Sequence, residues 1–184
     1  MEINGEHIKG GKIFIGSGAR PFLPNFKGME EINYLTNENV FDLTERPDSI
    51  IIIGGGYIAV EFAHFFSAMG TKVTILQRSQ RLVKYSEPEI SELLKKEMEK
   101  RMEIHVNIDV LGVKREKNDI IVFGKDKTTD KEIKFRAEKI FIATGRISNA
   151  DLLKVENTGI KIDNKGFIVV NEFLETNKKN IPPE

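Results

Sequence analysis

The sequence predicts an α/β protein in which a parallel sheet with helices continues into an antiparallel β-meander. Three observations carry this. Four isoleucines at residues 50–53 run directly into Gly54, Gly55 and Gly56. Apolar residues at helical spacing then alternate with short β-branched runs. From Asp109 onward the apolar period changes to two.

Taken in order, "KIFIGSG" at residues 12–18 reads as a short buried strand stopped by glycine. The segment after it, "ARPFLPNFKG", is an extended connection, because Pro21 and Pro24 argue against a helix. "SIIIIGGG" is a strand with no polar face, the pattern of a parallel strand covered on both sides. Ile58, Phe62, Phe65, Phe66 and Met69 then fall on one helical stripe, and Gly70 supplies the stop. "KVTIL" at 72–76 is the next strand, which completes a βαβ unit with its right-handed crossover. A second helix is expected from "SEPE", with Ser86 and Glu89 as a capping box and Ile90, Leu93, Leu94, Met98 and Met102 as its apolar face. "IHVNI" reads as a third strand. "VLGVKRE", "DIIVFGKD" and "KEIKFRA" are meander strands turned by "KND" and "KTTD". "KIFIATGR" returns a buried strand. The tail "GIKIDNKGFIVVNEFLETN" reads as strands joined at Asn164–Gly166, ending in a loop at Lys178, Lys179, Asn180, Pro182 and Pro183.

Gly54, Gly56 and Ala59 stand as G-x-G-x-x-A between a strand and a helix, which is the setting of a Rossmann-like phosphate turn. The first glycine permits the turn, the second lets a pyrophosphate approach the backbone, and Ala59 lets the helix pack close. The phosphates would sit on the helix N-terminal amides at Tyr57 and Ile58, where the dipole favours an anion. A tight packing turn is the competing reading. About 20 residues on, an acid would mark NAD by binding the ribose hydroxyls, and a cation would mark NADP by binding a 2′-phosphate. That position is Gln77, which is neutral. Arg78, Arg81 and Lys84 follow. The pattern favours NADP with NAD still possible, and the rival reading is an ordinary basic surface turn.

Composition excludes other classes. Lysine plus arginine and aspartate plus glutamate number 28 each, so no net charge steers the chain toward nucleic acid or an anionic membrane. No apolar run reaches the roughly 18 residues of a membrane span, and "MEINGEHIKGG" is no signal peptide. Cytoplasmic location is the expectation. The sequence has no cysteine, and His7, His64 and His105 have no ligand spacing, so no metal site is expected.

"IIIIGGGYIAVEFA", "IFIATGR" and "IFIGSGARP" together resemble the nucleotide-domain motifs of the FAD-dependent pyridine nucleotide–disulfide oxidoreductases. This family includes glutathione, mycothione and mercuric reductases and dihydrolipoamide dehydrogenase. The resemblance covers residues 12–180, and "FAHFFSAMG" with "QRSQRLVK" is most similar to the NADPH-using branches. It implies that Tyr57 covers the flavin ring and swings aside for the nicotinamide, and that Glu61 pairs with a lysine of the flavin domain. It also implies that Gly145 lies near the nicotinamide and Arg146 at the flavin-domain boundary. Ser17 stands where the family usually has threonine. The self-similar segments "KIFIGSGARP" and "KIFIATGRIS" fit two crossings of one strand-to-loop boundary.

The family's dithiol, its N-terminal glycine-rich FAD motif, its later G-D motif and its dimerisation domain have no counterpart in these residues. The resemblance therefore implies a segment of a longer, homodimeric flavoenzyme. In it, residues 1–24 and 146–184 are edges of the FAD domain and 25–145 the NAD(P)-binding domain. Its partners would be the remaining FAD and dimerisation domains. The segment itself would bind NADPH weakly and turn nothing over. Three other readings stay open: an NAD-dependent dihydrolipoamide dehydrogenase-like parent, a single-cysteine NADH oxidase or coenzyme A-disulfide reductase, and a stand-alone nucleotide-binding module.

Overall fold

The computed structural model describes residues 2–8 and 10–178, so of the terminal loop expected at 178–183 all but Lys178 lies outside the described residues. In chain order the strands and helices are β1 (Glu2–Ile3), β2 (Glu6–His7), β3 (Ala19–Pro21), β4 (Ser49–Ile53), α1 (Tyr57–Ala68), β5 (Lys72–Leu76) and α2 (Pro88–Met98). They continue with β6 (Glu103–His105), β7 (Ile108–Glu116), β8 (Asp119–Asp126), β9 (Glu132–Ala137), β10 (Lys139–Ile142) and β11 (Arg146–Ser148). The chain divides into two units, one of residues 1–20 with 146–184 and one of residues 21–145.

The larger unit is three layers deep. Its middle layer is a parallel sheet in the order β10-β4-β5-β6. Ile51 and Ile53 of β4 face one side, where β7, β8 and β9 close an antiparallel meander over them through Ile108, Val110, Val113, Ile120, Val122 and Phe135. Ile50 and Ile52 face the other side, against Ala59, Ala63 and Phe66 of α1 and Met98 of α2. Each of these four isoleucines contributes about 1.5–3 kcal/mol of burial. The run at 50–53 has no polar face because neither side of the strand meets water.

Helix α1 ends in a full Schellman motif. The N–H of Thr71 donates to Phe66 O at 3.0 Å and that of Gly70 to Ser67 O at 3.0 Å, with Gly70 at φ 87°. Its buried stripe is narrower than the sequence suggests. Phe65 and Met69 are exposed, and the small Ala59 and Ala63 lie against the sheet instead. Close helix-to-sheet approach selects alanine there. Helix α2 is rotated in the same way: Ser91, Leu94 and Met98 face inward, while Ile90 and Leu93 are exposed. The buried Ser91 hydroxyl donates to the carbonyl of Leu82, and this bond fixes the helix face. No capping box forms. The N-cap is Glu87 without a side-chain cap, and Pro88 starts the helix one residue later than Ser86 would.

The smaller unit is held mainly by polar contacts. Arg20 donates to both carboxylate oxygens of Asp151 at 2.9 and 2.7 Å, and also to Ser148 O and Asn149 Oδ1. These bonds hold the Asp151 carboxyl below the usual carboxylate range. The pairing is complete above that range and is lost as pH falls through the lowered value. Ala150, Val155 and Ile160 form a small core. β1 and β2 pair around an Asn4–Gly5 turn with both residues at positive φ, the backbone that an Asn-Gly hairpin turn requires. Residues 12–18 form no strand, and Phe14 is 90% exposed. An apolar strand needs neighbours for its backbone, and the ladder starts only at Ala19, where β3 pairs with β11. The expected tail strands shrink to one bridge, Ile162 with Ile168. The turn between them is capped by Asp163, whose carboxylate accepts from Lys165 and Phe167 N–H at 2.8 and 2.9 Å.

Phe141 in β10 is fully buried, with its ring centroid 4.9 Å from that of Phe62. Phe141→Ala should cost about 3–5 kcal/mol. Urea unfolding followed by far-UV circular dichroism checks this; a midpoint unchanged from the parent would contradict the assigned core.

Candidate nucleotide site at the sheet switch point

The chain runs outward from β4 to β5 and β6, then returns to the other side of β4 as β10. The switch therefore falls between β4 and β10, where ligands of open α/β sheets bind beyond the strand C-termini. Ile53 pairs with Ile142, so Gly54 and Ala143 leave the sheet side by side. Gly54 has φ 122°, and a Cβ on it would lie 2.1 Å from Ala143 O. Its N–H donates to Leu76 O at 2.9 Å, while Ala143 N–H donates to Ile53 O at 2.8 Å.

The three glycines do different work. Gly55 is a packing residue: a Cβ there would lie 2.8 Å from Gln77 Cδ and 2.9 Å from Leu82 Cδ2, and its carbonyl accepts from Val83 N–H at 2.6 Å. Gly56 is the N-cap of α1, and nothing lies within 4 Å of where its Cβ would be. No side chain caps this helix, and its first turn carries no acid. The first helical bond runs from Val60 N–H to Gly56 O, which leaves the amides of Tyr57, Ile58 and Ala59 without intrahelical acceptors. Ala59 is fully buried, and Tyr57 is 62% exposed. Glu61, one turn further on, is exposed too.

A second wall follows β5. Gln77 Nε2 donates to Ser79 Oγ at 2.7 Å and to Arg81 O at 3.1 Å, and its Oε1 accepts from Arg78 N–H at 3.0 Å. The loop so knotted borders a cleft of about 590 Å³ lined by Ser79, Gln80, Arg81, Lys84, Asn107, Lys127 and Thr128. Three cations and no acid line it. Arg78 is exposed and is not a lining residue. Lys84 has its Nζ 5.0 Å above the Tyr85 ring. Gly145 sits just past β10 at φ 143°, with open space at its Cβ position and its carbonyl accepting from Phe22 N–H at 2.9 Å.

The glycine turn, Gln77, Arg78, Lys84 and Gly145 thus all belong to the C-terminal edge of one sheet. Gly55, Val83 (buried at φ 37°), Asn107, Lys127 and Thr128 escaped the motif spacing. Of these, only the polar "KTTD" turn could have signalled a loop near the site. Among the described residues no cluster of three or more histidine, aspartate or glutamate side chains could hold a metal ion, and no helix is long and apolar enough to cross a membrane.

An open α/β sheet with a glycine turn at its switch point defines a broad class. Within it, the family model for pyridine nucleotide-disulphide oxidoreductases matches residues 2–181, so the chain belongs to that family. It is 34% identical over 181 residues to a mercuric reductase of Staphylococcus aureus, covering 98% of this chain and 33% of the relative. It is 30% identical over 177 residues to the mycothione reductase of Mycobacterium tuberculosis, covering 96% and 37%. The copper(II) complex of the HOCl-induced flavoprotein disulfide reductase RclA from Escherichia coli superposes with a TM-score of 0.83 at 29% identity, over 93% of this chain and 38% of that one. The chain spans about a third of the length of these relatives.

The division of labour among the glycines is testable by unfolding. Gly54→Ala should cost at least ~2–3 kcal/mol, from a left-handed backbone and a clash with a carbonyl. Gly55→Ala should cost about 1–3 kcal/mol through overpacking. Gly56→Ala should be neutral or stabilising by up to about 1 kcal/mol. Equal losses at all three positions in urea titrations would refute the assignment.

Proposed function

We propose that this chain is the pyridine-nucleotide-binding segment of a flavoprotein disulfide reductase, with NADPH preferred over NADH. In this reading residues 25–145 form the nucleotide domain, and residues 1–24 and 146–184 are edges of the flavin domain of a longer homodimeric enzyme. The observation that carries it is the pairing of an open, acid-free helix N-terminus at Gly56 with an acid-free cationic cleft at Arg81 and Lys84. A dinucleotide with an extra ribose phosphate needs both: amide donors for its pyrophosphate and cations for its terminal dianion.

The residues take roles from their positions. Gly56 leaves room at the backbone, and the amides of Tyr57, Ile58 and Ala59 receive the pyrophosphate. Ala59 keeps α1 close to the sheet so those amides stay at the strand ends. Gln77 orders the loop that presents Arg78, Arg81 and Lys84. Gly145 leaves the nicotinamide end unobstructed. When bound, the nicotinamide supplies a hydride to the flavin of the parent enzyme. Tyr57, exposed at the helix start, would shield the flavin ring and move aside as the nucleotide enters, and Glu61 would pair with a lysine of the flavin domain. Electron transfer to a disulfide would use cysteines outside this sequence, which has none.

Calorimetric titration with NADPH and NADH separately tests this. NADPH should bind more tightly, and Arg78→Glu should weaken NADPH by roughly tenfold or more while leaving NADH nearly unchanged. Gly56→Ala should weaken both nucleotides together. Equal affinities for NADPH and NADH would remove the NADP assignment, and robust disulfide reduction by the chain alone would sink the segment role.

A further inference from the structure

The cleft beyond β5 has a wall that the βαβ unit does not supply. Lys127 and Thr128 come from the loop joining β8 to β9, at the far end of the meander, and Asn107 comes from the link between β6 and β7. Several bonds fasten this tip to the cleft. Lys127 N–H donates to Asn107 O at 2.9 Å, Asn107 Nδ2 to Thr128 Oγ1 at 3.3 Å, and Asn107 N–H to Ser79 O at 3.2 Å. The Lys127 ammonium donates to the carbonyl of Arg78 at 3.4 Å. That contact places a cation from the hairpin beside the backbone of the basic loop.

The two aspartates of the hairpin tip, Asp126 and Asp130, are engaged within it. Asp126 accepts from the N–H groups of Thr128 and Thr129 at 2.7 and 3.3 Å, which keeps its carboxyl below the usual range. Asp130 is paired with Lys125 at 2.7 Å. Lys127 therefore faces the cleft with two of its three ammonium protons uncommitted to the one bond it makes.

We propose that Lys127 is a specificity-determining residue that grips a phosphate on the adenosine ribose and so selects a 2′-phosphorylated nucleotide over an unphosphorylated one. The proposal rests on the nucleotide-binding reading above and adds a residue from a different layer of the fold. A phosphomonoester carries about −1.5 to −2 charges near neutral pH. Arg81 and Lys84 approach it from the loop after β5, and Lys127 approaches from the hairpin.

The test is calorimetric titration of the chain with four probes: NADPH, NADH, adenosine 2′,5′-bisphosphate and 5′-AMP. Lys127→Ala should weaken NADPH and the bisphosphate by roughly tenfold and change NADH and AMP by less than about twofold. Lys127→Arg should restore most of the loss. Lys131→Ala removes an equal charge from the same loop outside the cleft and should match the parent protein. Thermal melting of each variant reads the fold separately. If the parent prefers NADPH but Lys127→Ala keeps that preference, or if Lys127→Ala and Lys131→Ala lose affinity alike, the role of Lys127 is overturned and the nucleotide site stands. If the parent shows no preference for the phosphorylated probes, the NADP reading itself fails and takes this proposal with it.

Discussion

Two parallel strands leave the sheet side by side at Gly54 and Ala143, and the carbonyl of Ala143 occupies the space a side chain at 54 would need. The rest of the site depends on this contact. With a Cβ at 54, either β10 would have to withdraw from β4 or the turn would have to open. Withdrawal would break the bond from Ala143 N–H to Ile53 O. Opening would move the start of α1 away from the strand ends, and with it the free amides of Tyr57 and Ile58. The isoleucines behind the contact leave no room for compromise, because β4 is packed on both faces and cannot shift without exposing one of them. A single steric exclusion thus fixes where a helix N-terminus points.

Gln77 shows how structural and electrostatic demands coincide. Its amide accepts from Arg78 N–H and donates to Ser79 and Arg81 at once. An ionised carboxylate can accept but not donate, so glutamate would lose the bond to the Arg81 carbonyl and loosen the loop. The same replacement would put a negative charge beside the basic cleft. Neutrality at this position serves the loop and keeps a negative charge away from the cleft. Gly55 completes the arrangement, since only a residue without a side chain leaves Gln77 and Leu82 their places.

Much of the architecture could be read from residue order. The isoleucine run, the glycine turn and the change of period at Asp109 each reflect a local constraint, and each corresponds to an observed element. Where the reading failed, local composition did not decide the outcome. Residues 12–18 have strand composition but find no ladder, so Phe14 stands in solvent. Phe65 and Met69 fit the helical stripe, yet the surface under α1 is shaped for alanine. The face of α2 is set by a serine hydroxyl reaching Leu82, which a count of apolar residues passes over. Lys127 was illegible for the same reason: nothing in "KDKTTD" tells which loop it will meet.

The meander explains why such a distant lysine can be placed reliably. Its inner face is half of the core over the parallel sheet, so its register is set by packing. Gly124 lies where a Cβ would come within 2.8 Å of Ile108 Cγ2, which locks β8 against β7 near the site. The ring of His105 at the end of β6 packs 4.8 Å from that of Phe135 in β9, joining the edge of the parallel sheet to the meander. A slip of one residue in β8 would turn Ile120 and Val122 out of the core. The cost of that slip is hydrophobic, but it also fixes the hairpin tip beside the basic loop. The buried layer therefore helps determine the geometry of a charged cleft whose own lining is polar.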